Sequence, residues 1–300
     1  MASIKGQLDQ LARRREENIQ ITHIRYAVER FLHRLSKSSH QSRFVLKGAM
    51  LFTVWGENRH RPTRDLDLLG RGENSEQILR ETLNEILRAE VEPDGLDFVS
   101  GPFRVEALHE GQDYEGLRVS IVAKLDRTRI PLQLDIAFGQ AVEPDAEAAE
   151  YPGLLELPGP RVLMYPKEVV IAEKFQALVV LGMGNNRLKD FYDLAFLSDT
   201  FNFSASRMAQ ALRATFARRG TKLPEETPLA LTASYFEDPT RRQDWRAFLN
   251  RAGLQEKDFT LEAACSKIER FVMPAVRWAQ AGDAEEVSWT KSGGWSRSKI

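Results

Sequence analysis

The 300 residues carry 42 Lys and Arg against 43 Asp and Glu, with five histidines and one cysteine, Cys265. This excludes an internal disulfide framework and a Cys-rich zinc site, and no apolar run reaches the ~18 residues that suggest a membrane span. The net charge of −1 hides an asymmetry, because residues 1–64 hold thirteen basic and five acidic side chains, a net of +8. Such a segment suits a polyanionic partner, and it equally suits an arginine-rich, solvated helix face. The opening "MASIKGQLDQLARRREENIQ" lacks the apolar core of a signal peptide, so a cytoplasmic protein is expected.

"LDQLARRREENIQITHIRYAVERFLHRLSKS" reads as helix, with Ile24, Val28, Phe31 and Leu35 on one face and Arg30 and Arg34 on another. "SRFVLKGAMLFTVW" reads as a short strand, a turn at Gly48 and a helix toward Trp55. "NSEQILRETLNEILRAE" is an amphipathic helix capped by Asn74 or Ser75. The period then alternates: "FRVEALHE", "LRVSIVAKL" and "IPLQLDIAFG" read as strands, the last two joined through "DRTR". An acidic, Pro- and Gly-rich connection, "PDAEAAEYPGLLELPGP", marks a boundary. Beyond it the pattern is helical to about residue 280. The expected domains are 1–150 (an α/β core with a basic N-terminal helix) and 151–280 (helical), with 281–300 a mobile tail.

Within "RPTRDLDLLG", alternation sends Asp65 and Asp67 to one strand face and Leu66 and Leu68 to the other. Two carboxylates this close repel, and a shared cation would remove that cost. In "IPLQLDIAFG", Asp135 likewise lies opposite the apolar face of Leu132, Leu134, Ile136 and Phe138. Three strand-borne carboxylates are suitable ligands for Mg²⁺, and a two-ion site of that kind suits in-line nucleotidyl transfer. Surface strands also carry Asp-x-Asp pairs with no such role. Lys174 lies in an otherwise apolar helical stretch, either as a phosphate contact or with its stem packed and its ammonium reaching water. The histidines show no zinc spacing, and "GMGNNR" reads as a helix–helix turn rather than a phosphate loop.

"LKGAMLFTVWGENRHRPTRDLDLLG" resembles motif I of the polymerase-β-like nucleotidyltransferases, and more narrowly of the AbiE-type (AbiEii and MenT-like) toxin enzymes. Lys47, Gly48, Arg61, Thr63, Asp65 and Asp67 match that pattern. "PKEVVIAEKFQALVVLGMGNNRLKDFYDLAFL" is similar to the family's helical motif through Lys174, Arg187, Asp190 and Asp193. The resemblance covers roughly residues 40–200. It departs at Ala49, where glycine or serine is usual, and at Met50, where a small hydroxyl residue is usual, so a hydroxyl that could touch a phosphate is missing there.

The resemblance implies a mixed-sheet nucleotidyltransferase core with a mainly helical C-terminal part. Asp65, Asp67 and Asp135 would hold Mg²⁺, with Asp135 also deprotonating the acceptor. Lys47, Gly48, Thr63, Arg64, Lys174 and Arg187 would serve the NTP, and Asp190 would support Lys174. The acceptor would be RNA, plausibly the tRNA 3′ end, with Arg207, Arg213, Arg218, Arg219, Arg241 and Arg242 joining the N-terminal cations along its phosphates. A cognate antitoxin is implied. Competing readings are a protein- or small-molecule-modifying nucleotidyltransferase and a non-catalytic RNA- or protein-binding module.

Overall fold

The computed structural model describes residues 3–56, 63–99, 103–109, 115–139, 142–254, 259–282, 284, 286–291 and 293–297. The chain divides into two units, residues 1–141 with 146–165, and residues 142–145 with 166–300. The last change of unit along the chain falls at Tyr165–Pro166, and residues 142–145 also belong to the second unit.

In the first unit, α1 (Ile4–Arg14) and α2 (Ile19–Lys37) are separate helices, not the single one expected. Glu16 takes a positive φ of 54°, and the Asn18 carboxamide caps α2 by accepting the Gln20 N–H at 2.9 Å. An N-cap of this type satisfies donors that a continuous helix would have paired internally. After β1 (Phe44–Lys47) and the short α3 (Leu51–Val54) come β2 (Asp65–Gly70), α4 (Glu76–Leu87) and β3 (Leu96–Phe98). Then follow β4 (Arg104–His109), β5 (Glu115–Leu125), β6 (Thr128–Phe138), β7 (Glu147–Glu150) and β8 (Arg161–Met164). The sequence pattern showed neither β7 nor β8, which are four residues each; β7 lies in the acidic connection and β8 directly after it.

These strands form one mixed sheet in the order β3-β5-β6-β2-β1-β8-β7, with β4 beside β5. β2 runs parallel to β6 and β1 to β8, while the remaining pairs are antiparallel. Leu66, Leu68, Leu134 and Ile136 make a buried apolar face, and α2 packs against β6 and β8. Leu32 and Leu35 of α2 border the same small void as Phe44, Leu46 and Leu68. Each such buried leucine contributes about 1.5–3 kcal/mol.

Arg30 and Arg34 do not face solvent as expected; both are buried. Arg34 donates to the Asp94 carboxylate at 2.6 and 3.2 Å, and Arg30 donates to the Pro158 carbonyl at 3.0 Å. Glu29, also buried, accepts the Leu154 N–H at 2.8 Å. Charges placed this deep need partners, and here they bind α2 to two loops.

The second unit contains α5 (Lys167–Leu181), α6 (Leu188–Thr200), β9 (Phe203–Ser204), α7 (Ala205–Arg218), α8 (Ala233–Phe236), α9 (Pro239–Arg251) and α10 (Leu261–Ala281). "GMGNNR" is the turn between α5 and α6, as read. The expected mobile tail instead carries a hairpin, β10 (Val287–Thr290) with β11 (Gly294–Arg297), and β10 also pairs with β9. Trp289 donates to the Ser198 carbonyl and Trp295 to the Phe271 carbonyl, both at 2.8 Å. Phe271, Trp278, Trp289 and Trp295 thus form an aromatic cluster within the unit. Among the described residues no helix is long and apolar enough to cross a membrane.

Candidate active site

Asp65 and Asp67 lie on β2, and the parallel register sets Asp67 directly beside Asp135 and Asp65 beside Gln133. The antiparallel hairpin then sets Arg118 of β5 beside Asp135. Alternation keeps Asp65, Asp67, Gln133, Asp135 and Arg118 on the sheet face opposite the Leu66/Leu134 core. Asp65 is exposed, while Asp67 and Asp135 are half-buried.

Arg118 holds Asp135 with two bonds, Nε to Oδ1 at 2.8 Å and Nη2 to Oδ2 at 2.7 Å. That fork-to-fork geometry is the strong form of an ion pair. The bond to Asp135 raises the Arg118 pKa above its usual value, with the charges of Asp65 and Glu106 adding to it. The guanidinium is therefore a cation shared by the acidic face. No sequence signal singled it out, because its place depends on the β5–β6 register.

Gly48 follows β1 with φ +72°. A Cβ built there would meet Asp67 Oδ2 at 2.0 Å, so only glycine allows the carboxylate to lie against this turn. Lys47 sits opposite Asp67 in the β1–β2 register. Met50, in place of the hydroxyl residue, is buried, and its sulfur accepts the Tyr151 hydroxyl at 3.6 Å. Position 50 therefore serves the core. Thr63 is half-buried and Arg64 exposed. Arg61 lies outside the described residues.

Two carboxylates on one face, a third in register and a glycine cradle beside Asp67 fit a hard divalent cation by donor chemistry. Among the described residues, however, no three acidic, His or Cys side chains converge as a ready ligand set. Asp135 is turned into Arg118 instead.

Lys174, Arg187, Asp190 and Asp193 gather in the second unit. Lys174 donates to Asp190 Oδ1 at 2.6 Å and pairs with Asp193 Oδ2 at 2.8 Å. Arg187 Nε donates to Asp190 Oδ2 at 2.8 Å. Both aspartates are 0% exposed and the lysine side chain 14%. Lys174 is therefore paired within the fold, as a buried ammonium must be.

Several arginines expected to meet RNA phosphates are engaged internally. Arg207 pairs with Glu168, Arg218 with Glu173, and Arg219 donates to Gln176. Arg241 and Arg242 donate to the Met183 and Phe236 carbonyls. Arg213 is exposed, as are Arg13, Arg14 and Arg15 on the N-terminal side.

Solved structures that resemble this chain include two from Helicobacter pylori. JHP933 from Helicobacter pylori aligns with TM-score 0.45 and 15% identity, covering 84% of this chain and 90% of its own. A proposed nucleotidyltransferase from H. pylori aligns with TM-score 0.46 and 16% identity, covering 85% and 95%. No curated protein matches the sequence. The family model for the AbiEii nucleotidyl transferase toxin of type IV toxin–antitoxin systems matches residues 30–281. That span takes in the aspartate strands, the Gly48 turn and the Lys174 cluster, and the chain belongs to the AbiEii nucleotidyltransferase toxin family.

Proposed function

We propose that this toxin transfers a nucleoside monophosphate from an NTP to an RNA hydroxyl, at the 3′ end of tRNA, and releases pyrophosphate. The observation that carries the reading is the β2–β6 register, which sets Asp67 beside Asp135 with Asp65 on the same face. Asp65 and Asp67 would hold Mg²⁺, which when bound activates the acceptor hydroxyl and steadies the leaving oxygen. Asp135 would join as ligand or take the acceptor proton. Lys47 and Thr63, with Gly48 keeping room beside Asp67, would receive the nucleotide near β2, with Arg64 adjacent. Lys174 and Arg187 are assigned to NTP phosphates, and Asp190 orients both cations. The setting is cytoplasmic, in phage defence by abortive infection, with a cognate antitoxin encoded alongside.

One observation favours a different acceptor. Arg30, Arg34, Arg207, Arg218, Arg219, Arg241 and Arg242 all have partners inside the fold. That leaves less free basic surface than the sequence promised, and a protein or small-molecule acceptor would need less. Incubation with each α-labelled NTP, Mg²⁺ and either total RNA, purified tRNA or total protein separates these readings. Label in tRNA, absent with Asp67→Ala, is the expected result. Label in protein alone would replace RNA as the acceptor, and no label anywhere would leave a binding module.

A further inference from the structure

The acidic face already holds a cation of its own. Arg118 and Asp135 are cross-strand neighbours, and the guanidinium occupies both oxygens of the carboxylate. The Arg118 side chain is 36% exposed and that of Asp135 17%, so the pair is open enough to exchange with solvent ions. Asp65 and Glu106 are also within its electrostatic reach, and Glu106 lies opposite Arg118 in the β4–β5 register. Asp67, the neighbour of Asp135 on its other side, belongs to the strand that would hold the metal. A guanidinium and a divalent cation answer the same need on this face, which is to offset crowded negative charge. Each does so by engaging carboxylate oxygens.

We propose that Arg118 is a positioning residue that competes with the divalent cation for Asp135, so that the nucleotide-free protein keeps a two-carboxylate site and Asp135 joins only when Arg118 lets go. This rests on the metal reading of Asp65 and Asp67 given above. A triphosphate is the natural agent of release, since its oxygens match a guanidinium fork as well as a carboxylate does. Both Asp135 carboxylate oxygens are taken by Arg118, which is the held state.

The test is Mn²⁺ binding to the nucleotide-free, full-length protein, read from the EPR signal of free Mn²⁺. Wild type, Arg118→Gln, Asp135→Asn and the double variant form a cycle, with thermal melting as the folding control. Arg118→Gln should tighten Mn²⁺ binding by about tenfold, within the range for directly bonded charges. Asp135→Asn should change little in the wild-type background and should erase the gain in the Arg118→Gln background. Arg118→Lys should fall between, because an ammonium lacks the planar fork that fills both oxygens. It also keeps the test available if Arg118→Gln does not fold.

Equal or weaker Mn²⁺ binding by both Arg118 variants would overturn the proposal, and so would no binding by any protein. An Asp135→Asn loss as large in wild type as in the Arg118 variant would do the same, because Asp135 would then already be a ligand. Nucleotide transfer is measured separately. Transfer with an unaltered Mn²⁺ pattern removes the Arg118 role alone, whereas the expected Mn²⁺ pattern without transfer removes the transferase reading alone.

Discussion

The chain carries two clusters of opposite charges, and they are built in contrary ways. On the sheet, Asp65 is exposed and Asp67 and Asp135 are half-buried, with Arg118 paired to Asp135. On α6, Asp190 and Asp193 are wholly buried and share Lys174, while Arg187 completes Asp190. Burial decides what each can do. A carboxylate out of water must be paired within the fold, and removing its partner leaves an uncompensated charge. A carboxylate at the surface loses little on unpairing and can take a new cation. The first cluster is open to solvent, whereas the second is closed within its own unit.

That contrast can be broken most sharply at Asp67. Asp67→Ala should abolish nucleotide transfer while the melting temperature stays close to wild type, because the change removes a proposed metal ligand and leaves the apolar core intact. A folded variant with normal transfer would end the metal assignment.

Lys174→Met should do the reverse first. It leaves Asp190 and Asp193 buried with one cation fewer, and a loss of about 3–5 kcal/mol is expected in denaturant unfolding. Adding Asp193→Asn should recover part of it. A variant as stable as wild type would mean that the cluster is not structural, and the contrast with the sheet face would collapse.

Gly48→Ala tests how tightly the open site is nevertheless packed. The new methyl would stand 2.0 Å from Asp67 Oδ2 at φ +72°, so Asp67 or the turn must move. A displacement of about 1 Å costs roughly 10²-fold in rate, and the left-handed backbone adds about 1–2 kcal/mol of destabilisation. Unchanged transfer in this variant would show that the position of Asp67 is not critical.

The smallest effect is expected at Arg13, Arg14 and Arg15, which are exposed at the end of α1. Replacing all three with serine should lower the salt slope of tRNA binding by roughly 0.7–0.9 for each phosphate that is no longer neutralised. NTP affinity should not change. Identical slopes would remove them from the RNA footprint.

The elements around the site were readable because each follows a local rule. Alternation in "DLDLL" and "LQLDIAF" assigned the aspartates to polar faces, and Gly48 announced a turn. Arg118 was not readable, since in "LRVSIVAKL" it is one polar residue among several until the hairpin register sets it beside Asp135. Arg30 and Arg34 misled for a related reason. Their spacing marks a separate helical face, but only Asp94, sixty residues away in Arg34's case, shows that the face is inside. β7 escaped notice because an "EAAE" strand carries almost no apolar signal, and β8, "RVLM", because four residues are too few to show a period. The C-terminal hairpin is held by indole N–H groups on distant carbonyls, which no window of sequence contains.

The order in which the acidic face can assemble follows from its connectivity. β5 and β6 are joined by a two-residue turn, since Leu125 pairs with Thr128, and Arg118 meets Asp135 across this local hairpin. Asp67 reaches Asp135 only when β2 docks in parallel from far earlier in the chain. Closing a short loop costs less entropy and happens sooner than closing a long one. The guanidinium is therefore expected to be on Asp135 before the second carboxylate arrives, so that β2 docks against a neutralised neighbour. In folding terms, Arg118 would act as an internal chaperone of charge, easing the strand pairing that brings Asp67 and Asp135 side by side.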